Sequence, residues 1–127
     1  MSDGRRSFGG VAVLVGLVAV LGVWWLVVPP RPLLNALKSV EVTAEVGAGL
    51  VDRYGCRDCH PIDGEGAIKA PDLAGVTLRP DDPDRAELRR WLRDPDAVRP
   101  GTAMPNFRLS DTEIDAIVTF LVGIDGG

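Results

Sequence analysis

Two cysteines and a histidine lie within five consecutive residues, Cys56-Arg57-Asp58-Cys59-His60, with the spacing C-x-x-C-H. Thiols three positions apart face the same side of one helical turn, so each can form a thioether to one of the two vinyl groups of a single porphyrin. The histidine that follows directly is then placed to bind the iron from the proximal side. This spacing is the signature of covalent c-type haem attachment, and it predicts one haem c.

Three other interpretations of the motif explain less of it. A structural zinc site usually needs four protein ligands, whereas Cys56, Cys59 and His60 are the only cysteines and histidine in the chain. A thioredoxin-like redox pair follows a strand in a βαβ unit, but the segment before this motif has a helical pattern. A simple disulfide would leave the histidine unexplained. Haem attachment is therefore the favoured interpretation.

Elimination predicts the second axial ligand of the iron. His60 is the only histidine, which excludes a bis-histidine haem within this chain. Met104 lies among glycine and proline residues in a predicted loop, whereas Met1 lies on the far side of the predicted membrane helix described below. A His/Met pair fills both axial positions and suits electron transfer. The alternatives are Lys69 as a nitrogen ligand, a vacant position, and Met104 as a flexible core residue.

An apolar segment without charges runs from Val11 to Val28. As a helix rising about 1.5 Å per residue, it matches the hydrocarbon thickness of a bilayer. Arg5 and Arg6 precede it, and Trp24 and Trp25 lie near its far end, where indole rings favour the headgroup layer. A cleaved signal peptide, the alternative, has a shorter apolar run and a small-residue cleavage site. We expect an uncleaved single-pass anchor in the cell membrane.

The side of the membrane follows from the haem chemistry and from the flanking charges. Bacterial c-type haem is attached after translocation, so the haem domain is expected on the periplasmic (outer) side. The positive-inside rule agrees with this orientation. The formal net charge of −4 argues against a nucleic-acid partner.

Four parts are predicted along the chain: a cytoplasmic segment 1–10, a transmembrane helix 11–28, a Pro-rich linker 29–40 and a haem domain 41–127. We expect Pro29-Pro30-Arg31-Pro32 to be stiff and non-helical, because proline fixes φ and lacks an N–H donor.

Apolar periodicity in the haem domain predicts three helices and no alternating strand pattern, hence an all-α fold. Residues 61–84, rich in proline, glycine and aspartate, are predicted to be a loop that wraps the haem. Pro95 is expected to stop the second helix, and Ser110 with Glu113 forms a capping box before the third. The apolar positions are Val42, Val46, Leu50, Val51 and Tyr54 before the motif; Leu88, Trp91 and Leu92 in helix 85–93; and Ile114, Ile117, Val118, Leu121 and Val122 in the last helix.

Several segments besides the haem motif follow the pattern of one known family. They are Gly47 to Tyr54, Ala70-Pro71-Asp72-Leu73, Trp91-Leu92-Arg93-Asp94-Pro95, Pro100-Gly101-Thr102-Ala103-Met104-Pro105 and Thr119-Phe120-Leu121. From about Val42 to Ile124 the chain thus resembles the class I (mitochondrial-type) cytochrome c family, especially bacterial single-haem domains, with Ala70 where glycine is usual. The resemblance implies that the Pro71 carbonyl accepts a hydrogen bond from the His60 ring, and that Gly47 is the small residue where the first and last helices cross. Trp91 is a candidate cofactor-binding residue, although a core position is the more common role of such a tryptophan.

The expected function is single-electron transfer by a membrane-anchored monohaem c-type cytochrome that is not itself an enzyme. The linker 29–40 reaches at most about 40 Å when fully extended, which keeps the haem near the membrane. We therefore expect as partners the subunits of an integral membrane redox complex, or another cytochrome. A cytochrome c oxidase, a quinol:cytochrome c oxidoreductase and a nitric oxide reductase are all compatible.

Three other functions remain open at this point. A freely mobile anchored shuttle would use the same haem site without a stable complex. A haem-based gas sensor would require Met104 to be displaceable from the iron. A haem peroxidase would need an open iron position and a distal acid–base residue, for which no second histidine is available.

Overall fold

A computed structural model describes residues 4–126, with side chains from Gly9 onwards. The chain divides into two compact units, one ending at Leu34 and the other beginning at Asn35. Part of the predicted cytoplasmic segment 1–10 lies outside the described residues, and so do the side chains of Arg5 and Arg6. Its orientation therefore stays a prediction.

The first unit is built around helix α1, Gly4–Val27. Within it, Gly9–Val27 has a mean hydropathy of 2.5, and this stretch is long and apolar enough to cross a membrane. Its side chains are exposed throughout, and those of Trp24 and Trp25 are each 60% exposed. A signal sequence near an N-terminus can also meet this criterion of length and apolar composition, so the anchor stays a prediction.

A short helix occupies the predicted linker. Helix α2 spans Arg31–Leu37, and the Leu34 N–H donates to the Pro30 carbonyl at 3.0 Å. The expectation of a non-helical stretch was therefore wrong from Arg31 on. Proline is tolerated in a first helical turn, because its fixed φ suits the helix and its missing N–H has no intrahelical partner there. The second compact unit begins at Asn35, within α2.

The described part of the second unit contains helices, two short 3₁₀ turns and a single isolated bridge between Ile62 and Glu65. The predicted all-α fold is confirmed. The helices are α3, Ala44–Arg53; α4, Ala86–Arg93; α5, Pro95–Val98; and α6, Asp111–Gly126, and the 3₁₀ turns are Cys56–Asp58 and Val76–Leu78. Helix α4 thus ends before Pro95 as predicted, but Pro95 also begins a further short helix.

In the second unit, α3 packs against α6 with a close backbone approach at Gly47. A Cβ built on Gly47 would overlap the Ala116 carbonyl and would lie 2.8 Å from Cβ of Phe120. Only glycine leaves room for the two backbones at this distance. The prediction of Gly47 as the small crossing residue is confirmed. The buried core around the crossing contains Leu50, Val51, Ile62, Leu92, Leu109, Ile114, Ala116, Ile117, Val118 and Leu121.

The capping box at the start of α6 is present. The Ser110 N–H donates to Oε2 of Glu113 at 2.8 Å, and the Glu113 N–H donates to Oγ of Ser110 at 3.2 Å. Two N–H groups that have no intrahelical partner are thereby satisfied.

The last residues of the predicted linker are bound to this same helix start. Asn35 and Asp111 exchange two hydrogen bonds, from Nδ2 to Oδ2 at 2.6 Å and from the Asp111 N–H to Oδ1 at 3.0 Å. Oγ of Ser110 donates to the Lys38 carbonyl at 2.8 Å, and the Val40 N–H donates to Oγ1 of Thr112 at 3.1 Å. Residues 35–40 therefore belong to the domain rather than to a free tether.

Glu113, in the first turn of α6, is a buried carboxylate that is only 2% exposed. It accepts the Tyr54 hydroxyl at 2.8 Å, and Nζ of Lys38 lies 3.1 Å from Oε2. Burial by itself would raise the pKa of Glu113. The hydrogen bonds from the Ser110 N–H and from Tyr54, with the Lys38 ion pair, more than offset burial and hold the pKa below its ordinary value of 4.5.

Glu113→Gln is expected to lower the free energy of unfolding by about 2 kcal/mol at pH 7, because the ion pair is lost. A lowered folded-state pKa stabilises the protein above pH 4.5, and this stabilisation is lost as the pH falls through the folded-state pKa. The difference between wild type and variant should therefore shrink in acid. Urea unfolding at several pH values measures it, with exposed Glu65→Gln as the control. A difference that stays constant with pH would contradict the assignment.

Candidate haem site

The C-x-x-C-H motif forms one tight turn directly after α3. Gly55, at φ 64°, has the left-handed conformation that ends the helix and redirects the chain. The N–H groups of Cys59 and His60 both donate to the Cys56 carbonyl, at 3.3 and 3.0 Å. The two thiols and the imidazole thus project from one turn, as the spacing predicted.

His60 is oriented through one ring nitrogen. Its Nδ1 lies 2.7 Å from the Pro71 carbonyl oxygen. A carbonyl can only accept, so Nδ1 carries the proton and Nε2 keeps the lone pair that a metal binds. The structure thus contains the hydrogen bond that the family resemblance implied. The role of His60 as an iron ligand stays a prediction.

The segment that carries Pro71 is itself hydrogen-bonded to the motif. The Ala70 N–H donates to the Cys59 carbonyl at 2.9 Å, and the Leu73 N–H donates to the Pro61 carbonyl at 3.0 Å. Alanine in place of the usual glycine therefore leaves the Pro71 carbonyl within hydrogen-bond distance of the imidazole.

The two cysteines differ in exposure, and neither is in a disulfide. Cys59 is exposed, whereas Cys56 is half-buried and its burial raises the pKa of the thiol. In the described part of the chain, no group of three or more His, Cys, Asp or Glu residues is placed to hold a metal ion.

Met104 lies half-buried in a loop after α5 and packs against the core. The loop is held in place by the Gly101 N–H, which donates to Oδ1 of Asp96 at 2.8 Å, and by the Thr102 N–H, which donates to the Arg99 carbonyl at 3.1 Å. The loop setting predicted for Met104 is confirmed, and its role as a ligand stays a prediction.

Trp91 bonds to Met104. Its indole Nε1–H donates to Sδ of Met104 with an N···S distance of 2.8 Å. The sequence offered Trp91 as a cofactor-binding or a core residue, and neither interpretation included this contact. No short-range pattern signals it, because the two residues are 13 positions apart on different elements.

Asp125, near the end of α6, is a residue that the sequence did not single out. Its carboxylate accepts the N–H groups of Gly75 and Thr77, at 2.7 and 2.9 Å, and the Thr77 hydroxyl at 2.7 Å. Burial would raise the pKa of Asp125, but the bonds from Thr77 and Gly75 lower it overall. This carboxylate therefore fixes the middle of the predicted haem-wrapping loop to the last helix.

The donor groups and the surrounding surface fit haem c. Haem c requires two thiols, an imidazole with one nitrogen held, and apolar surface to cover the macrocycle. The loop 61–84 exposes Ile68 to 90% and Leu78 to 62%, values that are high for large apolar side chains. Cys56 and Met104 are half-buried against the same core. These features match a bound apolar macrocycle better than a bare metal ion.

Comparison with known proteins agrees with this chemistry. The model of the cytochrome c family matches residues 44–125, which is more than half of the chain. A nitric oxide reductase subunit of Paracoccus denitrificans is 39% identical over 96 residues, or 69% of this chain and 64% of that protein. The subunit of the same name from Cereibacter sphaeroides is 37% identical over 82 residues, or 60% of this chain and 56% of that protein.

A third relative belongs to a different complex. Cytochrome c oxidase subunit 2 of Bacillus sp. (strain PS3) is 30% identical over 103 residues, or 71% of this chain but only 29% of that protein. The matched region thus spans less than two thirds of each of these three relatives. The family match, the single turn of Cys56, Cys59 and His60, and the bond to Pro71 lead to one conclusion: the chain belongs to the cytochrome c family and is an electron-transfer protein.

Proposed function

We propose that this chain carries one haem c, bound covalently through Cys56 and Cys59, with His60 and Met104 as its axial ligands. The observation that carries the proposal is the orientation of the His60 ring. His60 lies on the same turn as the two thiols, and its Nδ1 is held by the Pro71 carbonyl. When bound, the haem supplies a one-electron ferric/ferrous couple.

The protein's own residues would set the properties of that couple. The bond to Pro71 fixes the tautomer and orientation of His60, and strengthens the imidazole as a donor. The soft thioether of Met104 favours ferrous iron and raises the potential. With His60 and Met104 both bound to the iron, small molecules would be excluded from it, which favours electron transfer over gas sensing or peroxidase chemistry.

We further propose that α1 anchors the chain in the cell membrane with the haem domain on the outer side. Residues 35–40 are bound to the start of α6, so only the residues between Val27 and Asn35 connect the anchor to the domain. This connection is shorter than the predicted linker 29–40. The haem would remain close to the membrane, at a high effective concentration for a partner in the same bilayer.

The partner that we propose is an integral membrane complex of the nitric oxide reductase type. The support is the similarity to one nitric oxide reductase subunit from two organisms, and this similarity extends over 69% and 60% of this chain. The second candidate, a cytochrome c oxidase, is supported by the lower identity to subunit 2 of that enzyme.

Native gel electrophoresis of membranes from the source organism, solubilised in mild detergent, tests the partner. The haem of this chain is expected to migrate in a large complex that reduces nitric oxide. A matched strain with Met104→Leu should retain the complex but lose electron delivery, because the complex and the axial ligand are separate features. Migration with an oxygen-reducing complex would replace the proposed partner. Migration as a lone protein would favour the freely mobile shuttle.

A further inference from the structure

The sulfur of Met104 is held by a specific side chain as well as by its loop. The Trp91 indole donates its N–H, the only polar hydrogen of that side chain, to Sδ of Met104, with an N···S distance of 2.8 Å. An indole N–H that is partly removed from water normally finds a partner, and thioether sulfur is a weak acceptor. The domain has many exposed carboxylates, which are stronger acceptors than sulfur. Because the indole N–H bonds to sulfur instead, we infer that the packing of α4 against the loop determines its partner.

The elements on both sides of the contact are anchored. The Glu87 and Leu88 N–H groups in the first turn of α4 both donate to the carboxylate of Asp82, at 3.0 and 2.9 Å. The Met104 loop is fixed to α5 by the bond from the Gly101 N–H to Oδ1 of Asp96. Because both backbones are held, the fold keeps the Trp91 and Met104 side chains next to each other.

We propose that Trp91 is a positioning residue for Met104, and that its N–H group sets the strength of the sulfur as an iron ligand. This proposal rests on the axial role of Met104 proposed above. A thioether sulfur has two lone pairs, so one can face the iron while the other accepts the indole hydrogen. The positive end of the N–H dipole then lies beside the ligand atom. It stabilises the reduced iron more than the oxidised iron and raises the potential.

The variant Trp91→Phe tests this role, because it retains an aromatic ring and removes the donor. The haem-loaded full chain in detergent is held at the midpoint potential of the wild type. The ratio of reduced to oxidised protein is expected to fall in the variant by at most about fivefold, the factor for a neutral hydrogen bond that stabilises the reduced state alone. Tyr54→Phe, which removes a donor to Glu113 rather than to sulfur, is the matched control and should leave the ratio near its wild-type value.

A second readout follows the sulfur directly. With ¹³C-labelled methionine methyl groups, the Met104 resonance of reduced Trp91→Phe should shift from its wild-type position. An unchanged methyl resonance and an unchanged ratio would overturn the proposal. The proposal would also be overturned if only the pH dependence of the potential changed. Haem propionates are titratable carboxylates, so that result would mean that the indole bonds to a propionate rather than to the sulfur.

A measurement on the wild type keeps the proposal falsifiable if the variant fails to incorporate haem. In the reduced wild-type protein, a nuclear Overhauser effect is expected between the Trp91 indole hydrogen and the Met104 methyl group, and its absence would overturn the proposal. The axial role of Met104 is tested separately by the methionine-to-iron charge-transfer band of the oxidised wild type. Absence of that band counts against the ligand assignment, whereas an intact band with no effect of Trp91→Phe counts against Trp91 alone.

Discussion

Replacing Gly47 by alanine is expected to lower the free energy of unfolding by about 3 kcal/mol. The added Cβ would overlap the Ala116 carbonyl and would lie 2.8 Å from Cβ of Phe120. Both are fixed parts of α6 rather than the ends of flexible side chains, so α3 and α6 would have to separate. Chemical denaturation of the haem-loaded protein measures the loss.

The chain provides a matched control two residues further along the same helix. A Cβ at Gly49 would meet no atom within 4 Å. Gly49→Ala should therefore stabilise the protein by about 0.5–1 kcal/mol, because alanine loses less backbone entropy in a helix than glycine does. Equal effects of the two substitutions would show that helix propensity, rather than the crossing of α3 and α6, determines the result.

The double variant Cys56→Ala/Cys59→Ala is expected to lose all covalently bound haem, because both proposed thioethers are removed. Haem staining after denaturing electrophoresis measures this directly, since only covalently attached haem remains with the polypeptide. The single variant Cys59→Ala should keep the haem through Cys56, with an altered haemochrome spectrum from the unreacted vinyl group.

Lys69→Ala is the control for the cysteine variants. Lys69 is exposed, lies near the motif in sequence and was an alternative nitrogen ligand, but it is not part of the proposed attachment. It should retain the stain at full intensity. Stain that persists in the double cysteine variant would contradict attachment through these two residues.

The helices and the haem motif could be predicted because their signals are local. The capping box of Ser110 and Glu113 needs only a fixed spacing, and Cys56 to His60 occupy a single turn. The bond between His60 and Pro71 joins residues 11 positions apart, and it was accessible only through the family resemblance. The same resemblance pointed to Gly47, whose contact lies on another helix.

The features that the sequence did not provide depend on tertiary contacts. Helix α2 was mistaken for non-helical linker because proline usually breaks helices, and the exception applies only in the first turn. The binding of residues 35–40 to α6 joins groups more than 70 positions apart, as in the bonds of Asn35 and Val40. The bonds between Trp91 and Met104, and between Asp125 and Thr77, likewise have no short-range pattern.

A potentiometric titration of the haem-loaded full chain, under argon and again under carbon monoxide, most directly tests the claim of one closed electron-transfer centre. Carbon monoxide binds only to ferrous haem with an open position, and such binding raises the apparent midpoint potential. With His60 and Met104 on the iron, we predict a single one-electron transition with the same midpoint under both gases. A higher midpoint under carbon monoxide, or more than one transition, would contradict a single closed centre.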